Sequence, residues 1–294
     1  MKILLFGSRG QLGQALTKAL NDSYQLYLSH RDNCDLTKPS QIENFIDQVK
    51  PDLILNAAAY NDVVAAENYY EEAFALNVHA PGIMAKKANE LDIPMIHFSS
   101  NYVFDGFKKN AYLENDPIHP ISNYGKTKYL GEENIRHHLK KHLIIRTSWL
   151  YGYNGKNFIY KVFEKLKQNK PFDMVEDCWS SPTPASFIAR IILNILPHLR
   201  SENFGIYHLT TLGSTNPYDC AAFIEKKLLT LGAIKDINLS RIHPIKFSEY
   251  QCSAKRPIHA TLECAKIKNT FMLEFKSWQD ELNTFLDESF LKGP

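Results

Sequence analysis

Ile3-Leu4-Leu5-Phe6 runs directly into Gly7-Ser8-Arg9-Gly10-Gln11-Leu12-Gly13, after which Leu12, Ala15, Leu16, Ala19 and Leu20 recur at helical spacing. The order is strand, glycine turn, helix. In such a unit glycines let the backbone turn tightly and approach a pyrophosphate, whose charge meets unpaired N–H groups at the positive end of the helix dipole. The spacing is Gly-x-x-Gly-x-x-Gly, and a glycine turn without a ligand is common. Its place in the first βα unit is what points to a dinucleotide, with Gly7, Gly10, Gln11, Leu12 and Gly13 as candidate contacts.

The second strand, Tyr24-Gln25-Leu26-Tyr27-Leu28, is followed by Ser29-His30-Arg31-Asp32, where the adenosine ribose is expected. An acidic side chain there suits the ribose hydroxyls of NADH, whereas an arginine suits a 2′-phosphate. Arg31, with Arg9 in the glycine turn, argues for NADPH; Asp32 keeps NADH open, and a solvated loop cation is the plainer reading of Arg31. Cys34-Asp35-Leu36-Thr37 then leads through Pro39 into an amphipathic stretch with Ile42, Phe45, Ile46 and Val49. A third strand, Asp52–Asn56, ends in Ala57-Ala58-Ala59-Tyr60, small residues that let a cofactor pass close to the backbone. Helical stretches at about 67–79 and 81–90 precede a fourth strand at Pro94–Phe98, and Leu143-Ile144-Ile145-Arg146 supplies another. This alternation predicts an α/β, Rossmann-type doubly wound parallel sheet with right-handed crossovers.

A second constellation lies between Ser99 and Lys128. In a helix over 124–136, Tyr124 and Lys128 stand four residues apart on one face. A lysine cation beside a phenol lowers a pKa of about 10 toward neutrality. Ser100, after the apolar run Met95-Ile96-His97-Phe98, adds a hydroxyl for the same substrate oxygen. The three groups suit carbonyl reduction, with Tyr124 giving a proton while a hydride arrives from elsewhere. Among 15 tyrosines, one Tyr-x-x-x-Lys spacing by itself does no more than stabilise a surface helix.

Composition sets the limits. At 294 residues, 44% hydrophobic and 22% charged, the chain suits one large or two modest globular domains. A net charge of +2 gives no argument for a nucleic-acid partner, and the basic run Arg136–His142 reads as a solvated helix end. The opening Met1–Phe6 is too short for a signal-peptide core, and no apolar stretch approaches the roughly 18 residues that span a bilayer. A cytoplasmic protein without membrane contact is expected. The five cysteines are odd in number and lack Cys-x-x-Cys spacing, so reduced thiols are expected, and no metal site is predicted.

Taken together, Gly7-x-x-Gly10-x-x-Gly13, Asn56-Ala57-Ala58-Ala59-Tyr60, Ser99-Ser100-Asn101-Tyr102-Val103-Phe104-Asp105-Gly106, Tyr124-Gly125-Lys126-Thr127-Lys128 and Arg146-Thr147-Ser148-Trp149 resemble the dTDP-4-dehydrorhamnose reductase family of extended short-chain dehydrogenases/reductases. Ser181-Pro182-Thr183, Gly205–Leu209, Arg256-Pro257 and Trp278-Gln279 match family landmarks in order, so the resemblance spans nearly the whole chain. It implies hydride transfer from NADPH or NADH to C4 of dTDP-4-dehydro-β-L-rhamnose, giving dTDP-β-L-rhamnose for surface polysaccharide. By this resemblance Tyr124 is the proton donor, while Lys128 lowers its pKa and holds the nicotinamide ribose. Ser100 keeps the hydroxyl of a family threonine. Gly10-Gln11-Leu12, Asp35-Leu36 and Ala59-Tyr60-Asn61 fall on cofactor-contact segments. Trp149 falls on a substrate-contact position, where its face could pack on sugar or base; the other reading is a core tryptophan after a strand. Arg256 is a candidate for the substrate diphosphate, or else a tie within the C-terminal lobe.

Two positions depart from the family pattern. Asn101 stands where the family has aspartate, and Val64-Ala65 where it usually has Asp-Lys. An amide cannot carry charge or act as a general acid, so the chemistry is expected to survive on Tyr124 while substrate binding at Asn101 changes.

Past about residue 150 the periodic pattern loosens. Asn157–Gln168 reads as a helix, Pro171–Val175 as a strand, and 181–184 as a loop before an apolar helix at 185–196. The expected division is a dinucleotide-binding unit over 1–150, rejoined by part of 200–235, and a smaller interwoven C-terminal sugar-nucleotide-binding lobe over 151–294. Phe204–Leu209 is expected to rejoin the main sheet, Pro217–Leu231 to pack as a helix against it, and the tail helix from about 277 to bury Trp278, Leu282 and Phe285. Three readings stay open: this reductase, a reductase of another nucleotide 4-keto-6-deoxy sugar, and a non-catalytic NADP-binding subunit similar to the regulatory β subunit of methionine adenosyltransferase. A homodimer is the default assembly.

Overall fold

The structure, a computed structural model, describes residues 1–154, 157–234 and 241–290. Its strands are β1 (Lys2–Phe6), β2 (Gln25–Ser29), β3 (Leu53–Asn56), β4 (Met95–Ser100), β5 (His142–Thr147), β6 (Leu150–Tyr151), β7 (Phe172–Val175), β8 (Thr183–Pro184), β9 (Gly205–His208) and β10 (Ile242–Ile245). Six of them form one parallel sheet in the order β2-β1-β3-β4-β5-β9. The Ile, Leu and Phe runs of β1, β3, β4 and β5 are what a parallel sheet covered on both faces requires. The remaining strands pair as β7 with β10 and β6 with β8.

Helices supply the covers. The chain forms α1 (Gln11–Leu20) after β1, α2 (Pro39–Val49) after β2, and α3 (Ala65–Asn68), α4 (Tyr70–Phe74) and α5 (Ala80–Glu90) between β3 and β4. It continues through α6 (Asn123–His138), α7 (Phe158–Lys167), α8 (Ala185–Ile195), α9 (Pro217–Thr230), α10 (Ala265–Phe271) and α11 (Trp278–Phe290). On one face, Leu12, Leu16 and Leu20 of α1 interlock with Ile188, Ile191 and Ile195 of α8 against β1, β3 and β5. On the other, Ile42 and Ile46 of α2, Met84 and Ala88 of α5 and Ile135 of α6 cover the same sheet. A separate core joins Ile159 and Val162 of α7, Ile224 and Leu228 of α9, and Trp278, Leu282 and Phe285 of α11 into a second lobe. No helix among the described residues is long and apolar enough to cross a membrane.

The helix expected to pack against the main sheet over Pro217–Leu231 packs instead, as α9, in the separate core with α7 and α11; two local differences from the sequence reading have clear causes. The helix expected over 67–79 is broken into α3, α4 and a π turn at Ala75–His79 that runs straight into α5. Pro81 has no N–H for the carbonyl of Asn77, and its ring would strike that oxygen in a regular helix, so the turn widens. Ser181–Pro184, expected as a loop, includes β8, which pairs in parallel with β6.

The sheet order reverses between β1 and β3, because the next strand in sequence, β2, lies on the far side of β1. Open α/β sheets bind ligands in that crevice, outside the carboxyl ends of the strands. Here it is bordered by the glycine turn after β1 and the alanines after β3.

Candidate active site

The glycines of the turn have different duties. Gly7 has φ +79°, and a Cβ on it would lie 2.6 Å from the Ala58 nitrogen, so the turn touches the β3 loop directly. A Cβ on Gly13 would lie 2.1 Å from the Gly7 carbonyl oxygen. Gly13, expected to touch the cofactor, instead lets α1 sit against the turn, and it lines neither cavity described below. Gly10 is the open one. It is the N-cap of α1, has no side-chain cap, and borders both cavities. An uncapped helix start behind a glycine is a donor-rich cradle that fits a pyrophosphate.

Three neighbouring cavities that share lining residues lie along the carboxyl ends of the strands. The first, about 480 Å³, is bordered by Gly7, Gly10, Arg31, Asp35, Leu36 and the Ala58-Ala59-Tyr60-Asn61 loop. The residues expected at the adenosine end therefore come together. Arg31 borders this cavity, whereas Asp32 does not; its carboxylate pairs with Arg9 and lies 3.6 Å from His30 Nδ1. The carboxylate that kept NADH open is thus engaged on the rim, and so is the Arg9 cation.

The second cavity, about 350 Å³, meets the first at Gly10 and Ala59 and receives Gln11, Leu12, Ser100, Asn101, Tyr124, Lys128 and Trp149. Ser100 ends β4 in register with Thr147 of β5, and its hydroxyl accepts from Tyr102 N (3.2 Å) and hydrogen-bonds Tyr124. Tyr124 enters on the first turn of α6, which Ser122 caps by accepting from Gly125 N (3.1 Å). Gly125 is needed there, because a Cβ would lie 2.2 Å from the Tyr102 carbonyl oxygen. One turn on, Lys128 Nζ donates to the Phe98 carbonyl oxygen at 2.7 Å.

The electrostatics correct one expectation. Burial pushes the Tyr124 phenol up to about 12, opposed by its Ser100 hydrogen bond and reinforced by Tyr102. The ammonium is turned to Phe98 and is itself pushed down to about 8 by burial, partly offset by Glu132. In the protein alone desolvation outweighs the neighbouring cation. A phenol that stays protonated is nonetheless the state a proton donor needs.

The third cavity, about 120 Å³, joins the second at Asn101, Tyr102 and Trp149 and is closed by Trp179, Arg256 and Pro257. Trp149 is half-buried with φ +44°, rests edge-on against Phe158 with ring centroids 4.8 Å apart, and borders both spaces. It is therefore a lining residue, held in a backbone region uncommon for non-glycine residues. Arg256 hydrogen-bonds Tyr102 and Cys252, while its buried Nε has no partner. Asn101, the expected substrate contact, borders both inner cavities, and both its amide hydrogens are taken up within the protein, by Ser180 Oγ (3.1 Å) and the Ala260 carbonyl oxygen (2.9 Å).

Sequence reasoning missed several supports. Asn157 caps α7, accepting from Tyr160 N, and also donates to Gln11 Oε1 at 3.1 Å; an asparagine before an amphipathic run could have marked the cap. Glu132 accepts from Arg146 Nε (2.9 Å) and Nη2 (2.6 Å) and from Ser99 Oγ (2.5 Å), tying α6 to β4 and β5. No local signal marks that triad.

The chain matches the family described as RmlD substrate binding domain over residues 1–290. It is 33% identical over 301 residues to the dTDP-4-dehydrorhamnose reductase of Shigella flexneri, covering 99% of this chain and 98% of that protein. A dTDP-4-dehydrorhamnose reductase crystal structure from Clostridium acetobutylicum superposes with a TM-score of 0.91 at 30% identity, covering all of both chains. The Bacillus anthracis enzyme, solved in complex with NADP, gives 0.89 at 28% identity over 98% of this chain and 99% of that one.

Proposed function

Because the chain belongs to the dTDP-4-dehydrorhamnose reductase family, a family of NAD(P)-dependent oxidoreductases, we propose that it reduces the C4 keto group of dTDP-4-dehydro-β-L-rhamnose with NADPH, giving dTDP-β-L-rhamnose. One observation carries this reading: Tyr124, Ser100 and Lys128 line a cavity that also takes in Gly10 and Trp149 and shares Trp149 with the neighbouring cavity of Arg256. A carbonyl placed there has a proton donor, a hydroxyl partner and room for a nucleotide on opposite sides.

In this reading NADPH, when bound, supplies the hydride. Gly10, Gln11 and Leu12 hold its pyrophosphate at the start of α1, and Arg31 meets the 2′-phosphate. Asp35, Leu36 and the Ala58–Asn61 loop line the adenosine end, and Lys128 holds the nicotinamide ribose. The residues of the chain do the rest. Ser100 orients the C4 oxygen, and Tyr124 gives it a proton as negative charge develops, favoured because an alkoxide is a stronger base than a phenolate. Trp149 offers its face to the sugar or base, and Arg256 offers cationic N–H groups to the diphosphate.

The test is loss of NADPH absorbance when the purified protein meets dTDP-4-dehydro-β-L-rhamnose, with NADH and a GDP-linked 4-keto-6-deoxy sugar in parallel. Turnover with the dTDP sugar and NADPH is expected. Turnover only with the GDP sugar would reassign the substrate. NADPH binding without turnover of either sugar would replace the reductase by the regulatory reading.

A further inference from the structure

Asn101 is 3% exposed and stands between the two inner cavities, bordering both. Its amide orientation is fixed by chemistry, since the Ala260 carbonyl can only accept and so must face Nδ2, at 2.9 Å. The second Nδ2 hydrogen meets Ser180 Oγ at 3.1 Å, and Oδ1 accepts from Ser100 Oγ at 3.3 Å until a substrate oxygen takes that hydrogen.

The partners are themselves a junction. Trp179 N donates to Ile258 O (2.6 Å) and Ala260 N to Trp179 O (2.9 Å), while Ser180 and Thr215 exchange backbone hydrogen bonds of 3.0 and 2.9 Å. Three segments distant in sequence, near 180, 215 and 260, are thus stitched into one wall that carries Trp179 and stands beside Arg256. Asn101 is the side chain at the end of β4 that reaches into it.

We propose that Asn101 is a positioning residue: its amide latches Ser180 and Ala260 of the second lobe to the end of β4 and fixes the Ser100 hydroxyl beside Tyr124. The catalytic relevance of this latch rests on the reductase reading above. The latch sets where the nucleotide-holding wall stands relative to the reacting carbonyl, and its contacts in this chain use two donated hydrogens and one acceptor. An ionised carboxylate of the same shape has no hydrogen for Ala260. Charged or titratable groups around the site are Tyr102 on the same turn, Tyr124 and Lys128 on α6, and Cys178 and Arg256 from the second lobe, Arg256 being engaged with Tyr102 and Cys252.

The test compares Asn101→Asp with the unchanged protein by melting temperature between pH 3 and 8.5 and by steady-state reductase kinetics between pH 6 and 8.5. In the variant a neutral carboxyl still donates to Ala260. Ionisation is penalised in the fold more than in the unfolded chain, so its folded pKa lies above the unfolded value of about 3.9. Below that value the melting curves are close; the gap opens as pH rises and levels off beyond the folded pKa. At pH 8 kcat falls by about tenfold or more, while KM for NADPH stays within about twofold, because the latch lies on the sugar side of the cavity. A pH-independent gap, or a kcat within about twofold of the unchanged protein at pH 8, overturns the latch. Ser180→Ala, a milder change, decides the matter if Asn101→Asp does not fold: a fall in kcat of about threefold or more with unchanged NADPH KM supports the latch, and unchanged kcat overturns it. If the unchanged protein turns over neither sugar, the reductase reading fails, and the pH dependence of the melting gap still decides the latch.

Discussion

At the scale of single residues, Tyr124 and Lys128 divide the work in a way their pKa directions define. The phenol, pushed up to about 12, keeps its proton at every working pH, so replacing it should remove chemistry and little else. Tyr124→Phe is expected to lower kcat by about 10²–10⁴, the usual contribution of a positioned acid, with NADPH affinity nearly unchanged; stopped-flow binding and steady-state rates separate the two. Lys128 titrates lower, at about 8. Below that pH it is an ammonium able to hold a ribose hydroxyl, and above it the charge is lost. The kcat/KM for NADPH should therefore be flat on the acid side and fall above about pH 8, by about tenfold per unit. A profile flat to pH 9.5 would remove Lys128 from cofactor binding.

At the scale of elements, α6 is the part that must not move, and its fixing comes from residues outside the Tyr-x-x-x-Lys pattern. Asn77, in the π turn, accepts from Tyr60 N (2.9 Å) and donates to Thr127 Oγ1 (3.1 Å), tying the cofactor-side loop to the turn that precedes Lys128. Gly131 lets α6 close onto that turn, since a Cβ would lie 2.0 Å from the Asn77 carbonyl oxygen. Beneath it, Glu132 and Arg146 are 0% and 2% exposed, so neither charge can turn to solvent if its partner is lost. Glu132→Gln should destabilise the fold by about 3–5 kcal/mol in urea denaturation, because it leaves a buried guanidinium uncompensated. Pairing the change with a methionine at Arg146 should recover much of that loss, for the same reason.

At the scale of the whole molecule, the sheet reversal and the second lobe turn scattered loops into one trough, and its long adenosine end should report cofactor binding directly. NADPH at a hundredfold above its Kd is expected to stabilise the protein by about 2.7 kcal/mol. Arg31→Ala should weaken NADPH by about one to two powers of ten, the worth of a charge-assisted contact, while leaving NADH within about twofold; calorimetric melting with each cofactor checks both. How far all this is legible in the chain depends on sequence distance. Gly7–Gly13, the alternating apolar runs, Tyr124 with Lys128, and Trp278, Leu282 and Phe285 are local patterns, and local patterns are set by 3.6-residue and two-residue periods that a sequence displays. The π turn at Pro81 was legible in principle, but its consequence, Asn77 facing α6, was not. The direction of the Tyr124 shift is not legible in the sequence, because burial by distant elements sets it. The Glu132–Arg146–Ser99 triad, the Arg9–Asp32 pair on the rim, and the meeting of Asn101 with Ser180 and Ala260 link residues up to 159 positions apart. The sequence by itself determined the element order, the dinucleotide cradle and the chemical groups for carbonyl reduction, since each is carried by neighbours along the chain. Only the tertiary structure decided which charges are paired, which proton is held and where the second lobe docks, since desolvation and hydrogen-bond partners arise only when distant segments pack.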